Sequence, residues 1–167
     1  MIQDAHVTTS LMKVDTERGY LKIARVLVNH GPQTDADLQD LWSRTVFNLL
    51  VSNTDAHFRN HGFILIPGKG WRLSDAYDKN PVPGSSSLKL HISEADNAMD
   101  LDLARSVAHY FRVDTETADA IIERSQAVVR QWPTIADRLG LPVREKDRVA
   151  HPCLDSSYRA DAIVPRQ

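Results

Sequence analysis

Cysteine is almost missing from this chain, with a single residue, Cys153, among 167. One thiol excludes an internal disulfide framework and any zinc site built from cysteines, and it agrees with a reducing, cytoplasmic compartment. Long apolar runs are missing too. No stretch approaches the roughly 18 to 20 apolar residues that a membrane span needs. The amino terminus, Met1 to Met12, lacks the basic-then-apolar pattern of an export signal, so a soluble chain without membrane contact is expected. Neither sign of charge dominates, with Lys+Arg 20 against Asp+Glu 22, which removes the polycationic nucleic-acid binder as a default. At 42% hydrophobic and 25% charged residues the chain is not disordered either. There is no internal repeat and no low-complexity tract. What is left is one domain of ordinary size around one core.

Periodicity predicts its elements. From Asp15 to His30, Tyr20, Ile23, Ala24, Leu27 and Val28 recur at helical spacing until Gly31-Pro32 stops them. With Thr34 as a cap, a second helix is predicted from Ala36 to about Val51, its buried face made by Leu38, Leu41, Trp42, Val46, Leu49 and Leu50. Phe63 to Ile66 and Trp71 to Leu73, joined by Pro67-Gly68-Lys69-Gly70, read as a hairpin. Asn80 to Ser87 reads as irregular, and Leu88 to Ile92 as a short extended piece. Helices return from Asp100 or Asp102 to Phe111 and after Asp114, where Ala118, Ile121, Ile122, Ser125, Val129 and Trp132 share a face. A short helix starts at Pro133 and ends at Gly140, and another covers Arg144 to Ala150. The division expected is a helical domain over 1–150 and a flexible tail over 151–167. Trp42, Trp71 and Trp132 are assigned to packing, and Arg124, Arg130 and Arg138 to solvated helix faces.

Polar residues concentrate between the second helix and the hairpin, in Ser52-Asn53-Thr54-Asp55-Ala56-His57-Phe58-Arg59-Asn60-His61. Loops held by rigid elements commonly carry catalytic groups. Asp55 precedes Asn60 by five positions, the interval between the base Asp and the metal-binding Asn of the protein-kinase catalytic loop. A third oxygen ligand would come from Asp78, in Ser74-Asp75-Ala76-Tyr77-Asp78, because a hairpin returns the chain near its starting point. Magnesium is held by few protein oxygens together with phosphates and water, so Asn60 and Asp78 could bind it while Asp55 orients and deprotonates a hydroxyl. Taken alone, Asp55 and Asn60 also fit a capping or turn pair at a helix end, and Asp78 fits a surface turn acid. His57 and His61 stand four apart, as in a helical zinc site, but no Glu follows His57 and the stretch reads as a loop, so zinc is set aside.

The wording around these residues resembles the HipA family, bacterial serine/threonine kinases of toxin–antitoxin systems associated with persistence. It runs Phe47-Asn48-Leu49-Leu50-Val51-Ser52-Asn53-Thr54-Asp55-Ala56-His57-Phe58-Arg59-Asn60-His61-Gly62-Phe63, then Gly70-Trp71-Arg72-Leu73-Ser74-Asp75-Ala76-Tyr77-Asp78-Lys79-Asn80-Pro81. The family's carboxyl-terminal lobe carries an N-T-D-x-H-x-[KR]-N loop and a later A-Y-D. The resemblance spans roughly Tyr20 to Leu141. It implies a mainly α fold with a small β-hairpin, equivalent to the carboxyl-terminal lobe of a protein kinase. It also implies magnesium-dependent phosphoryl transfer from ATP to a protein Ser or Thr. Under it Asp55 is the catalytic base, Asn60 and Asp78 the magnesium ligands, and His57 and Arg59 loop residues that orient the base and meet phosphate charge. Two positions depart from the family's wording: Ala56 stands where a second acid is common, and Lys79-Asn80 follow Asp78 in place of an apolar residue.

A kinase also covers the nucleotide with a glycine-rich loop and a strand lysine. Before Asp55 only Gly19 and Gly31 occur, and Lys13 and Lys22 lie in or beside a predicted helix. The nucleotide-binding amino-terminal lobe is therefore expected to be missing, leaving a lobe inactive alone. Two roles follow: part of a kinase whose nucleotide lobe is supplied in trans or is lost from this stretch of sequence, or a noncatalytic remnant that binds an antitoxin or a substrate protein. No direct nucleic-acid binding is expected.

Overall fold

The computed structural model describes residues 19–84 and 87–148. Cys153, the 151–167 tail and the predicted helical start at Asp15 lie outside them, as do the last two residues of the helix predicted over Arg144 to Ala150. Residues 143–148 are helical.

The first helix, α1, runs Tyr20–His30, with Gly19 extended at its amino end. Tyr20 N donates to His91 O at 3.0 Å, so the helix starts against the 88–92 segment. The second and longest helix, α2, is Thr34–Leu50. Thr34 is its first residue and not its cap: Thr34 Oγ1 lies 3.1 Å from Gly31 O and 3.3 Å from Leu27 O, where it serves the open carbonyl end of α1. One hydroxyl thus closes the corner between the helices.

Helix α2 is the spine. It packs against α1, the second strand of the hairpin and the segments Leu101–Val107, Ala108–Phe111 and Thr115–Val129. Leu38, Leu41, Trp42, Val46 and Leu50 are each fully buried, and Trp42 Nε1 donates to Ala104 O at 3.1 Å. A buried indole with its N–H satisfied keeps its full apolar gain, about 3 to 5 kcal/mol on truncation to alanine.

The hairpin pairs β1, Phe63–Ile66, with β2, Gly70–Leu73, in the antiparallel register Phe63 to Leu73 and Leu65 to Trp71. The pleat puts Phe63, Leu65, Trp71 and Leu73 on one face, and burial falls off along it: Leu73 is buried, while Leu65 and Trp71, opposite one another nearer the turn, are 52% and 42% exposed. The core assignment of Trp71 is thereby corrected: the packing that buries Leu73 does not extend along the ribbon to position 71. Trp42 is core, and Trp132 is partly buried against it.

Leu88 to Ile92 forms no ladder and makes only a bridge from His91 to Gly19. Its side chains still alternate, with Leu88, Leu90 and Ile92 buried and Lys89 exposed. Asp100 caps α3, Leu101–Val107, by accepting from Asp102 N at 2.7 Å. The predicted continuation to Phe111 tightens into a 3-10 turn over Ala108–Phe111, ended by left-handed Arg112. Asp114 caps α4, Thr115–Val129, by accepting from Thr117 N at 2.8 Å. Trp132 opens α5, Trp132–Arg138, and does not extend the α4 face; Gly140 follows at φ 67. No helix among the described residues is long and apolar enough to cross a membrane.

Gly70 fixes the hairpin to α1. Its φ is 126, and a Cβ there would collide with the His30 carbonyl oxygen. Gly70→Ala therefore combines a disfavoured backbone with a clash, and a loss of about 2 kcal/mol is expected in chemical denaturation. An unchanged midpoint would show that the turn re-seats freely.

Candidate functional site

Two acts of α2 set the site. At its start Asp37, buried at 4% exposure, accepts from Leu73 N at 3.2 Å and from Gln33 Nε2 at 3.0 Å. Farther on, Arg44 pairs with Asp40 at 2.5 Å and donates to Ser74 O at 2.6 Å. Together they fix the exit of β2, and with it the path of 74–78.

At the other end α2 stops without glycine. Ser52 turns left-handed at φ 52, and Asn53 N donates back to Asn48 O at 2.8 Å. The side chains repeat the connection: Asn53 Nδ2 reaches Asn48 Oδ1 at 3.1 Å and Asp78 O at 3.1 Å, while Asn48 Nδ2 reaches Tyr20 Oη at 2.7 Å. Asn48 and Asn53 are 0% and 2% exposed. Burial pushes the Tyr20 phenol up, leaving a neutral hydroxyl to accept this bond.

The structure brings Asn60 and Asp78 together. Asn60, in the 3-10 turn Phe58–Asn60, gives its Nδ2 to Asp78 Oδ2, while its Oδ1 accepts from His57 N at 2.8 Å. Asn80 Nδ2 donates to the other Asp78 oxygen at 2.8 Å. Asp78 itself is left-handed at φ 56, a conformation that Asp tolerates better than most residues. Among the described residues, two of the three non-glycine residues at positive φ, Ser52 and Asp78, thus flank or belong to the polar cluster. Tyr77 Oη donates to Arg59 O at 2.6 Å and fastens the same segments a second time.

Asp55 stands apart from that pair. It is exposed, and its Oδ1 accepts from Lys89 Nζ. The hydrogen bond and charge of Lys89 hold its carboxyl below the usual carboxylate range, with smaller help from His57 and Arg59. Arg59 is exposed and His57 half-buried. Sequence reading missed Lys89, although the alternation of Leu88, Leu90 and Ile92 already turned it out of the core.

His61 completes the loop from beneath. Its ring meets Tyr20 edge-on at 5.4 Å, and neither ring nitrogen has a partner. Burial, then the charges of Lys79 and Arg44, lowers its pKa from 6.5 to about 3. Among the described residues no group of three or more His, Cys, Asp or Glu is gathered as for a metal. Asn60 and Asp78 nevertheless suit a hard cation that keeps most of its water and phosphate ligands. To ligate one, the Asn60 amide must release Asp78 and turn its oxygen outward.

The family model of the HipA-like C-terminal domain matches residues 1–132. The chain belongs to that family. No curated protein matches it. Within the HipA-like domain the matched region contains the whole polar loop, the hairpin and the Asp78 segment, ending at the start of α5.

Lys89→Met should return the Asp55 carboxyl toward the ordinary carboxylate range in an NMR pH titration, and an unmoved titration would remove Lys89 as the cause. His61 is linked to acid in the same sense, through burial in place of a charge partner. Its folded pKa lies below the unfolded value, so its stabilisation is complete above pH 6.5 and is lost as pH falls toward 3. His61→Leu should flatten the fall of melting temperature across that window; an equally steep fall would assign acid sensitivity elsewhere.

Proposed function

We propose that this HipA-like domain is the catalytic lobe of a toxin–antitoxin kinase, transferring the γ-phosphoryl group of ATP to a protein serine or threonine with magnesium. The observation that carries the reading is the meeting of Asn60 and Asp78, from segments 18 residues apart, beside a loop whose Asp55 is exposed. The kinase-like lobe and the reaction are readings from the family's wording and this arrangement. Asp55 is ionised at neutral pH and free on its solvent side, as a base for an incoming hydroxyl must be. In the transfer the hydroxyl oxygen bonds to the γ-phosphorus, the bond to the β,γ-bridging oxygen breaks, ADP leaves, and the proton passes to Asp55. Asn60 and Asp78 would hold magnesium, which when bound supplies positive charge to the phosphates. Arg59 and His57 add positive or donor character at the loop. Lys89 occupies one Asp55 oxygen and must share or yield it to a substrate.

The chain offers no glycine-rich loop before Asp55, so activity requires a lobe that covers the nucleotide, and the lobe alone should transfer phosphate many orders of magnitude more slowly. The exposed Leu65 and Trp71 support the second reading, a noncatalytic module that binds an antitoxin or a substrate protein. Calorimetric titration with ATP, with and without magnesium, separates the two. Magnesium-dependent binding that disappears in Asp78→Asn supports the kinase reading, and its absence favours the interaction module. Where the complementary lobe restores transfer, Asp55→Asn should lower the rate by at least 100-fold, the scale of a lost general base; an undiminished rate would remove Asp55 from the mechanism.

A further inference from the structure

The segment after β2 has two sides. Tyr77 and Asp78 turn to the polar loop, where they meet Arg59 and Asn60. Ala76 and Lys79 line a cavity of about 310 Å³, whose other walls include Arg44 and Phe47 of α2 and Arg124, Ser125 and Val128 of α4.

Three of the lining side chains are cations and none is an acid. Arg44 is 7% exposed; its Nε and Nη2 are taken by Asp40 and Ser74, but Nη1 is buried without an acceptor. Lys79 Nζ is buried without an acceptor as well. Arg124 stands exposed on the α4 side. Two carboxylates lie near enough for Lys79 to feel them, Asp40 and Asp78. Asp40 is paired with Arg44, Asp78 with Asn60 and Asn80, and neither lines the cavity. Buried charged donors normally have acceptors, and two orphans beside one cavity with a third cation call for a multiply charged anion.

We propose that this cavity binds a phosphate monoester, its oxygens accepting from Arg44, Lys79 and Arg124 and its small apolar body resting on Phe47 and Val128. A dianion with three terminal oxygens matches three cationic donors better than a carboxylate does. The Arg44 fork is fixed by Asp40 and Ser74, and the flexible Lys79 stem can swing its ammonium onto the ligand. The volume is in the range of small-molecule sites and exceeds what a bare ion fills. This site is distinct from the metal pair, from which it is separated by the 76–79 backbone, and it does not require the kinase reading.

The test is a titration of the full chain, without magnesium, with phenyl phosphate, inorganic phosphate and benzoate, followed by backbone amide NMR shifts. Phenyl phosphate should saturate with shifts centred on Phe47, Ala76 and Ser125, inorganic phosphate should bind the same residues more weakly, and benzoate more weakly than phenyl phosphate. Arg124→Gln, an exposed change that leaves the core intact, should weaken phenyl phosphate about tenfold, and Lys79→Met by a similar factor, as expected for losing a charge-assisted donor. Arg138→Gln, an exposed change on α5 that is not in the cavity wall, should leave binding unchanged. Shifts centred on Arg59 and Asn60, benzoate binding as well as phenyl phosphate, or parental affinity in both cavity variants would each overturn the proposal.

Discussion

The Asn53 side chain is the bond on which the rest of the site hangs. Its amide spans Asn48 at the end of α2 and the backbone carbonyl of Asp78, two segments that the sequence separates by the loop and the entire hairpin. The Asn48 contact is buried and the Asp78 contact partly so, and an unmatched buried amide costs about 1 to 3 kcal/mol, so losing a partner weakens the whole arrangement. From Tyr20 through Asn48 and Asn53 to Asp78, one line of hydrogen bonds runs from the first helix to the candidate metal ligand. The core gives that line its rigidity, because Asn48 projects from the same buried helix that carries Trp42 and Leu41.

Charge is distributed by the same framework. On one side of the 74–80 segment stand the acids and amides of the polar loop; on the other stand Arg44 and Lys79. Asp55 keeps its negative charge with the help of Lys89, while His61, shut in below the loop, stays neutral. The solvent side of the loop therefore carries both signs, Asp55 with the exposed Lys89 and Arg59, while Arg44 Nη1 and Lys79 Nζ are buried behind the segment.

Much of the fold was legible in the sequence, for identifiable reasons. Helical spacing from Tyr20 and Leu38, the alternation and turn chemistry of 63–73, and the Asp100 and Asp114 caps are all local signals, and local signals survive without knowledge of partners. Thr34 and Trp71 were misread because each depends on a neighbour: the carbonyl end of α1 in one case, the absence of a covering layer over the ribbon in the other. For the site, the structure sets the Asn60 side chain against that of Asp78, a proximity that the return of the hairpin implied. Lys89 and the cavity around Arg44 were not legible, since they assemble from segments whose register only packing decides.

The amides of the motif serve the architecture as well as any chemistry. Asn48, Asn53 and Asn60 each satisfy a partner whose loss would weaken the fold, whereas the Asp55 side chain is exposed and its hydrogen bond goes to an exposed lysine. A descendant copy released from enzymatic duty would thus keep its asparagines under pressure to remain folded and surrender its aspartate first. Within such a lineage, the identity of position 55 is a better witness to living chemistry than the preservation of the surrounding words.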